Sequence, residues 1–282
     1  AVTLARGVLA DDPLERKAYR ILFEGREVLG RIGTSAAQAL QCLGDADTPV
    51  QTMLLRRRPR TVAELSGLTL PAAMLRTMLP PAATHPAAEL VALVSPAIGV
   101  FFATDLEVHW ASKRDRLGGP RSPAGGGLLA AIDAVSRSVG LEDVPAYMAA
   151  VDQAKGTFAE PEARPVLVMP RALADAPVGE QIFQLGRTLG KIALGLHLVD
   201  KLAAGELGTL VAALVRLSVG AKGAAVAVAD APEDRVAELT HRLERDLPRR
   251  IRRLVDPLAA ACVERPLVKP ETLLVGVERG AD

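Results

Sequence analysis

The sequence predicts a mainly α protein of the α+β kind: a helical hairpin, a run of short helices, then a helical domain with a small β-sheet. Three observations predict it. Apolar residues make up 49% of the chain while aromatics make up 3%, so the core is aliphatic and rich in helix-forming Ala and Leu. Prolines and glycines punctuate segments whose apolar residues recur at helical spacing. Strand-like stretches are short and confined to residues 145–170.

Residues 13–44 read as a hairpin of two helices. Asp11 and Asp12 suit a helix N-terminus, and Pro13 opens the first helix. Ala18, Ile21, Leu22, Val28 and Leu29 follow its apolar stripe, and Gly30 and Gly33 interrupt it. A second helix carries Ala36, Ala37, Leu40 and Leu43 and ends at Gly44.

Residues 51–117 read as a connector of short helices: Leu70–Leu79, Ala87–Val94 and Pro96–Phe101. It begins with a basic cluster, Arg56, Arg57, Arg58 and Arg60, which suits a solvated junction. His109 beside Trp110 reads as a packed amphipathic edge, because no second metal-ligating residue follows at helical spacing. Residues 118–127, with three consecutive glycines, read as a flexible loop. No Gly-Lys-Ser/Thr follows, so it is not a phosphate loop.

From residue 128 to 282 the pattern is a second, larger domain. A helix over Leu128–Val139 stops at Gly140. "VPAYMAAVD" and "ARPVLVMP" read as strands, and the residues between them as a turn with a third, edge strand. Later helices are expected over Pro177–Leu202, Gly205–Val219, Pro232–Leu247 and Pro248–Glu264, with a last helix to the end of the chain. Prolines 177, 232 and 248 fit first helical turns.

The formal charge of +1 argues against a nucleic-acid coat. A second basic run, Arg249, Arg250, Arg252 and Arg253, is offset by Glu238, Glu244, Asp246 and Asp256, and reads as a solvated helix face with Ile251, Leu254 and Val255 inward. Cys42 and Cys262 are far apart in apolar surroundings and read as buried free thiols of a cytoplasmic protein. No apolar run is long enough to span a bilayer. No secretory signal is read at the start, which opens on Ala1 and suits a piece of a longer chain.

Two resemblances sharpen this reading. The stretch "AYRILFEGREVLGRIGTSAAQALQCLGDADTP", with Tyr19, Gly30, Ala36, Ala37 and Leu40, resembles a tetratricopeptide repeat. One repeat cannot bury its own face, so a neighbour or a cap is expected. Residues 145–282 resemble the gluzincin metallopeptidases of the heat-shock and prenyl-protein-processing kind. There, a strand precedes a helix with His-Glu-x-x-His, and a later Glu-x-x-Ala-Asp supplies the third zinc ligand. Here Val166, Leu167, Val168 and Met169 stand as the strand, implied to be the edge that holds peptide. Leu185, Gly186, Leu189, Gly190 and Ile192 fall on the helix frame, and Glu278, Ala281 and Asp282 match the later motif.

The departures carry the functional reading. Arg187 and Lys191 replace the ligand histidines, and Thr188 replaces the general base. A guanidinium and an ammonium offer no lone pair to a metal, and a hydroxyl is no base near neutral pH. No cofactor is therefore expected. The two cations are expected to pair with Glu278 and Asp282, a salt bridge standing where the metal would stand. His197 and His241 restore no zinc site. His197 reads as a half-buried packing residue and His241 as exposed.

Together the resemblances imply a chain like the C-terminal part of large bacterial tetratricopeptide proteins. The implied role is a non-catalytic scaffold for protein partners. Two competing functions are a hydrolase with rearranged ligands, using Glu278, Asp282 and His197, and a nucleic-acid-associated protein using the arginine clusters.

Overall fold

The computed structural model describes residues 1–25, 31–57, 62, 69–118, 126–149, 156–161, 164–267 and 269–281. The chain is mainly helical with one small sheet, and it divides into two units, Ala1–Arg60 and Thr61–Asp282.

The first unit contains α1 (Val2–Asp11), α2 (Arg16–Glu24), α3 (Arg31–Cys42) and α4 (Thr48–Arg57). The hairpin of α2 and α3 is thus flanked by α1 and α4, which pack on it. Ala18, Leu22 and Phe23 of α2 meet Ala36, Ala37 and Leu40 of α3, with Ala5 and Val50 closing the two sides. Pro13 does not open α2. The helix begins at Arg16, where the Glu15 side chain accepts from the Lys17 N–H and caps the first turn. Arg20 reaches across to the Asp45 carbonyl and the Asp47 carboxylate at 2.7 and 2.8 Å, tying α2 to the turn after α3. Cys42 is exposed, not buried, because it falls off the stripe of Ala36, Ala37 and Leu40; Cys262 is buried.

The second unit runs from α5 (Ala72–Thr77) and α6 (Pro86–Ile98) through α7 (Gly126–Ser138), β1 (Ala146–Ala149), β2 (Phe158–Glu160) and β3 (Val166–Pro170). It continues with α8 (Val178–Leu194), α9 (Ala204–Val219), α10 (Ala221–Ala227), α11 (Glu233–Asp246), α12 (Arg249–Glu264) and α13 (Pro270–Ala281). The connector expected over 51–117 is redrawn by this arrangement. Its first residues close the first unit, and α6 is core. Leu90, Val91, Val94 and Ile98 are fully buried in the cluster that includes the middle of α9. The two short segments expected there merge into α6, which runs through Pro96 to Ile98, and residues Gly99–Phe101 follow it as a 3-10 turn. Of the loop expected over 118–127, residues 119–125 lie outside the described residues, and the second unit spans it.

Around α9 pack α6, α10, α11, α12 and α13. Its aliphatic run Leu207–Val215 is consequently buried on nearly every side. In α12, Val255 is buried, but Leu254 is half-exposed, contrary to the expected inward stripe. Arg249, Arg250 and Arg253 are exposed, while Arg252 donates to the Leu247 carbonyl at 3.0 Å. Of the other basic cluster, Arg58 and Arg60 lie outside the described residues, as do the side chains of Arg56 and Arg57.

The sheet order is β1-β3-β2, with β1 parallel and β2 antiparallel to β3. This corrects the edge assignment of Val166–Met169. The strand is central, paired on both sides, and cannot add a peptide strand. Its burial explains the continuous apolar run: Leu167 and Met169 face α7 and α8, while Val166 and Val168 face Phe158 and Leu106.

The last helix is held by its glycines. Gly276 and Gly280 weaken its helical propensity, yet both lie where the 79–83 segment approaches most closely. A Cβ at Gly276 would sit 2.6 Å from Ala82 Cβ and 3.1 Å from the Ala83 nitrogen. Gly276→Ala should therefore destabilise the second unit by about 1–3 kcal/mol, despite its better helix propensity. Chemical denaturation checks this, and an unchanged or raised midpoint would show that the helix can shift away.

Candidate functional site

The site grows from the end of α8. Gly195 adopts a left-handed backbone (φ 73°), its N–H bonds the Ile192 carbonyl, and the Leu196 N–H bonds the Lys191 carbonyl. This is a Schellman closure, and it reverses the chain. A Cβ at Gly195 would lie 2.5 Å from the Ala92 carbonyl oxygen, so α6 also requires glycine there. A 3-10 turn over His197–Asp200 then carries Asp200 back onto Lys191, nine residues earlier.

From the other side α13 delivers Glu278. Leu273 and Val277 anchor the helix in the core, and Glu278 meets α8. The Arg187 guanidinium and the Lys191 ammonium each bind one oxygen of its carboxylate, Lys191 to Oε1 at 2.7 Å. Lys191 also binds Asp200. The cations at the positions resembling zinc ligands are thus brought onto the position resembling the third ligand. Asp282, the other expected partner, lies outside the described residues. Thr188 does something else: its buried hydroxyl donates to the Thr157 carbonyl at 3.1 Å and joins α8 to the start of β2.

A second ionic group adjoins the first. Glu160, on β2, is fully buried. Its carboxylate accepts from the Thr104 N–H and from Lys201 at 2.7 Å, and contacts His109 Nε2 at 2.7 Å. Lys201 also donates to the Thr104 hydroxyl at 2.6 Å. Because Asp200 and Lys201 are consecutive, the two groups form one strip of charge. His109 is therefore no simple packed edge. Its ring meets Phe158 edge-on at 4.8 Å between centroids, and its nitrogen serves a buried acid.

The strip lines a cleft of about 700 Å³. Arg187, Lys191, Asp200, Lys201 and Glu278 form its polar wall, and Trp110, Val108, Phe158, Val199 and Leu274 its apolar one. Asp200, Lys201, Glu160, Thr104 and Trp110 were not singled out as functional by sequence. The local pattern of Asp200 and Lys201, an acid-base pair after an aliphatic helix, was the signal available. His197 is fully buried rather than half-buried, packed among aliphatic core, and burial lowers its pKa to about 4. It is a neutral core histidine. His241 is exposed on α11.

The two acids that share Lys191 titrate in opposite directions. Burial raises the Asp200 carboxyl, against the pull of Lys191. Burial alone would raise Glu278 as well, but the hydrogen bond and charge of Lys191 and the charge of Arg187 outweigh it and hold Glu278 below its ordinary value of 4.5. Glu278 therefore contributes stability above that pH, and loses it as pH falls through its folded value. The drop in melting temperature as pH falls from about 6 to about 2 should be smaller in Glu278→Gln than in the parent chain, with the difference arising below the ordinary value of 4.5. Equal drops would remove Glu278 from the acid response.

Among the described residues no group of three or more His, Cys, Asp and Glu is placed to hold a metal. The donor set at the peptidase-like positions does not fit zinc on chemical grounds, since two cations already take both oxygens of Glu278. Compared with models of protein families, with curated proteins and with solved structures, the chain finds no match.

Proposed function

We propose that the chain is a non-catalytic binding protein, in which residues 128–282 are a zincless counterpart of the gluzincin peptidases. One observation carries this reading. Lys191, with a side chain 7% exposed, is bound to both Glu278 and Asp200, which supports reading its ammonium as the stand-in for the metal ion of the peptidases this chain resembles. Arg187 completes the neutralisation of Glu278. On this wall Glu278 and Asp200 are each held by a cation, which supports the non-catalytic reading.

The scaffold role belongs to both units. The α2–α3 hairpin, in the tetratricopeptide-like reading, offers a helical surface to protein partners. The cleft of the second unit offers a mixed apolar and charged one. The free state of Cys42 and Cys262 fits a reducing, cytoplasmic setting. No described helix is long and apolar enough to cross a membrane.

Elemental analysis of the purified chain tests the proposal. Zinc should be absent at stoichiometric level, and Glu278→Ala should change stability without changing metal content. One zinc per chain, lost in that variant, would overturn the reading and return the protein to the hydrolases.

A further inference from the structure

The cleft also indicates what kind of molecule it takes. Its two walls are chemically distinct. The polar wall holds Arg187 and Lys191 on the two oxygens of one carboxylate. Glu278 thus shows, from within the chain, the group this pair of cations is arranged to grip. The partners are unequal in freedom. Lys191 is 7% exposed and fixed to α8, whereas the Glu278 side chain is 42% exposed at the cleft. Glu278 is the member that can turn to solvent.

The apolar wall ends in an unusual residue. Trp110 is held in the left-handed backbone region (φ 56°, ψ 30°) and leaves its indole 63% exposed at the cleft. A bulky side chain in that region is disfavoured, and such outliers persist where surrounding structure imposes them. Val108 is exposed beside it, and Phe158 and Leu274 continue the apolar surface inward. The volume, about 700 Å³, is that of a small-molecule site with a few convergent polar groups.

We infer that the cleft binds a small aromatic carboxylate, whose anion replaces Glu278 on Arg187 and Lys191 and whose ring lies against Trp110 and Phe158. This ligand class rests on the non-catalytic reading of the site. In the unliganded chain Glu278 is the competitor, so the apparent affinity is reduced by the fraction of time it holds the cations.

The chain contains one tryptophan, so intrinsic fluorescence reports on Trp110 alone. The full chain would be titrated with phenylacetate, acetate, benzyl alcohol and phenyl phosphate, followed by fluorescence and calorimetry. Phenylacetate should bind one per chain and change Trp110 emission, with acetate and benzyl alcohol each about tenfold weaker or worse. Glu278→Gln should bind phenylacetate about tenfold more tightly, and Arg187→Leu about tenfold more weakly.

Benzyl alcohol binding as tightly as phenylacetate would overturn the anion site. Tighter binding of phenyl phosphate would overturn the carboxylate assignment. If Glu278→Gln does not fold, the parent chain decides: a saturable change of Trp110 emission with phenylacetate supports the site, and none at millimolar ligand overturns it. Stoichiometric zinc would sink the non-catalytic reading whatever the titrations give. Absent zinc with no phenylacetate binding sinks the ligand alone.

Discussion

Replacing Lys191 by methionine should cost the second unit about 3–5 kcal/mol, the loss expected when one partner of a buried ion pair is removed. Methionine keeps most of the volume, so packing changes little. What changes is that Asp200, 11% exposed, loses its cation and Glu278 keeps only Arg187. Two acids then face each other with one positive charge between them. In a unit of this size the loss should lower the melting temperature by about 10 °C.

A second substitution separates charge from packing. Asp200→Asn, added to Lys191→Met, removes the stranded charge and should recover at least about half of the loss. Breaking a buried pair is costly, while removing it whole is often nearly neutral. If Lys191→Met alone costs under about 1 kcal/mol, the ammonium is exchanging with solvent and the pair behaves as a surface bridge. The claim that it fills a metal position would then lose its support.

Much of the helical part was legible because proline and glycine mark its boundaries. Pro232 and Pro248 precede α11 and α12 directly, and Gly220 follows α9. The burial of β3 is readable from its own residues, although its place in the strand order is not. A continuous apolar run such as Val166–Met169 suits a strand covered on both faces. The edge assignment came instead from the peptidase resemblance, and strand order is a tertiary property that no local pattern fixes. Pairing of Arg187 and Lys191 with Glu278 followed from opposite charge at matched motif positions. Asp200 was not foreseen, because it reaches Lys191 only through the reversal at Gly195 and the 3-10 turn after it. The local spacing around His109 shows no partner for it, because that partner is 51 residues away.

Glu160 should prove as sensitive as Lys191, for a different reason. Three groups converge on it: the Thr104 N–H, Lys201 and His109. Nothing of it is exposed, so no water can replace it as acceptor. Glu160→Ala strands Lys201 in a largely enclosed place and leaves a backbone donor unsatisfied, a loss of about 3–5 kcal/mol. Glu160→Gln is milder, about 2 kcal/mol, because the amide oxygen can still accept from Thr104 while its NH₂ meets Lys201 unfavourably. Both variants should also disturb Trp110, because His109 beside it is held by this carboxylate and by the Phe158 ring. On heating, Trp110 emission should therefore shift before helical signal is lost, whereas in the parent chain the two should change together. Coincident transitions in Glu160→Gln would mean that the 105–110 segment is held by its packing alone. The charge strip would then end at Lys201, and His109 would take no part in shaping the cleft.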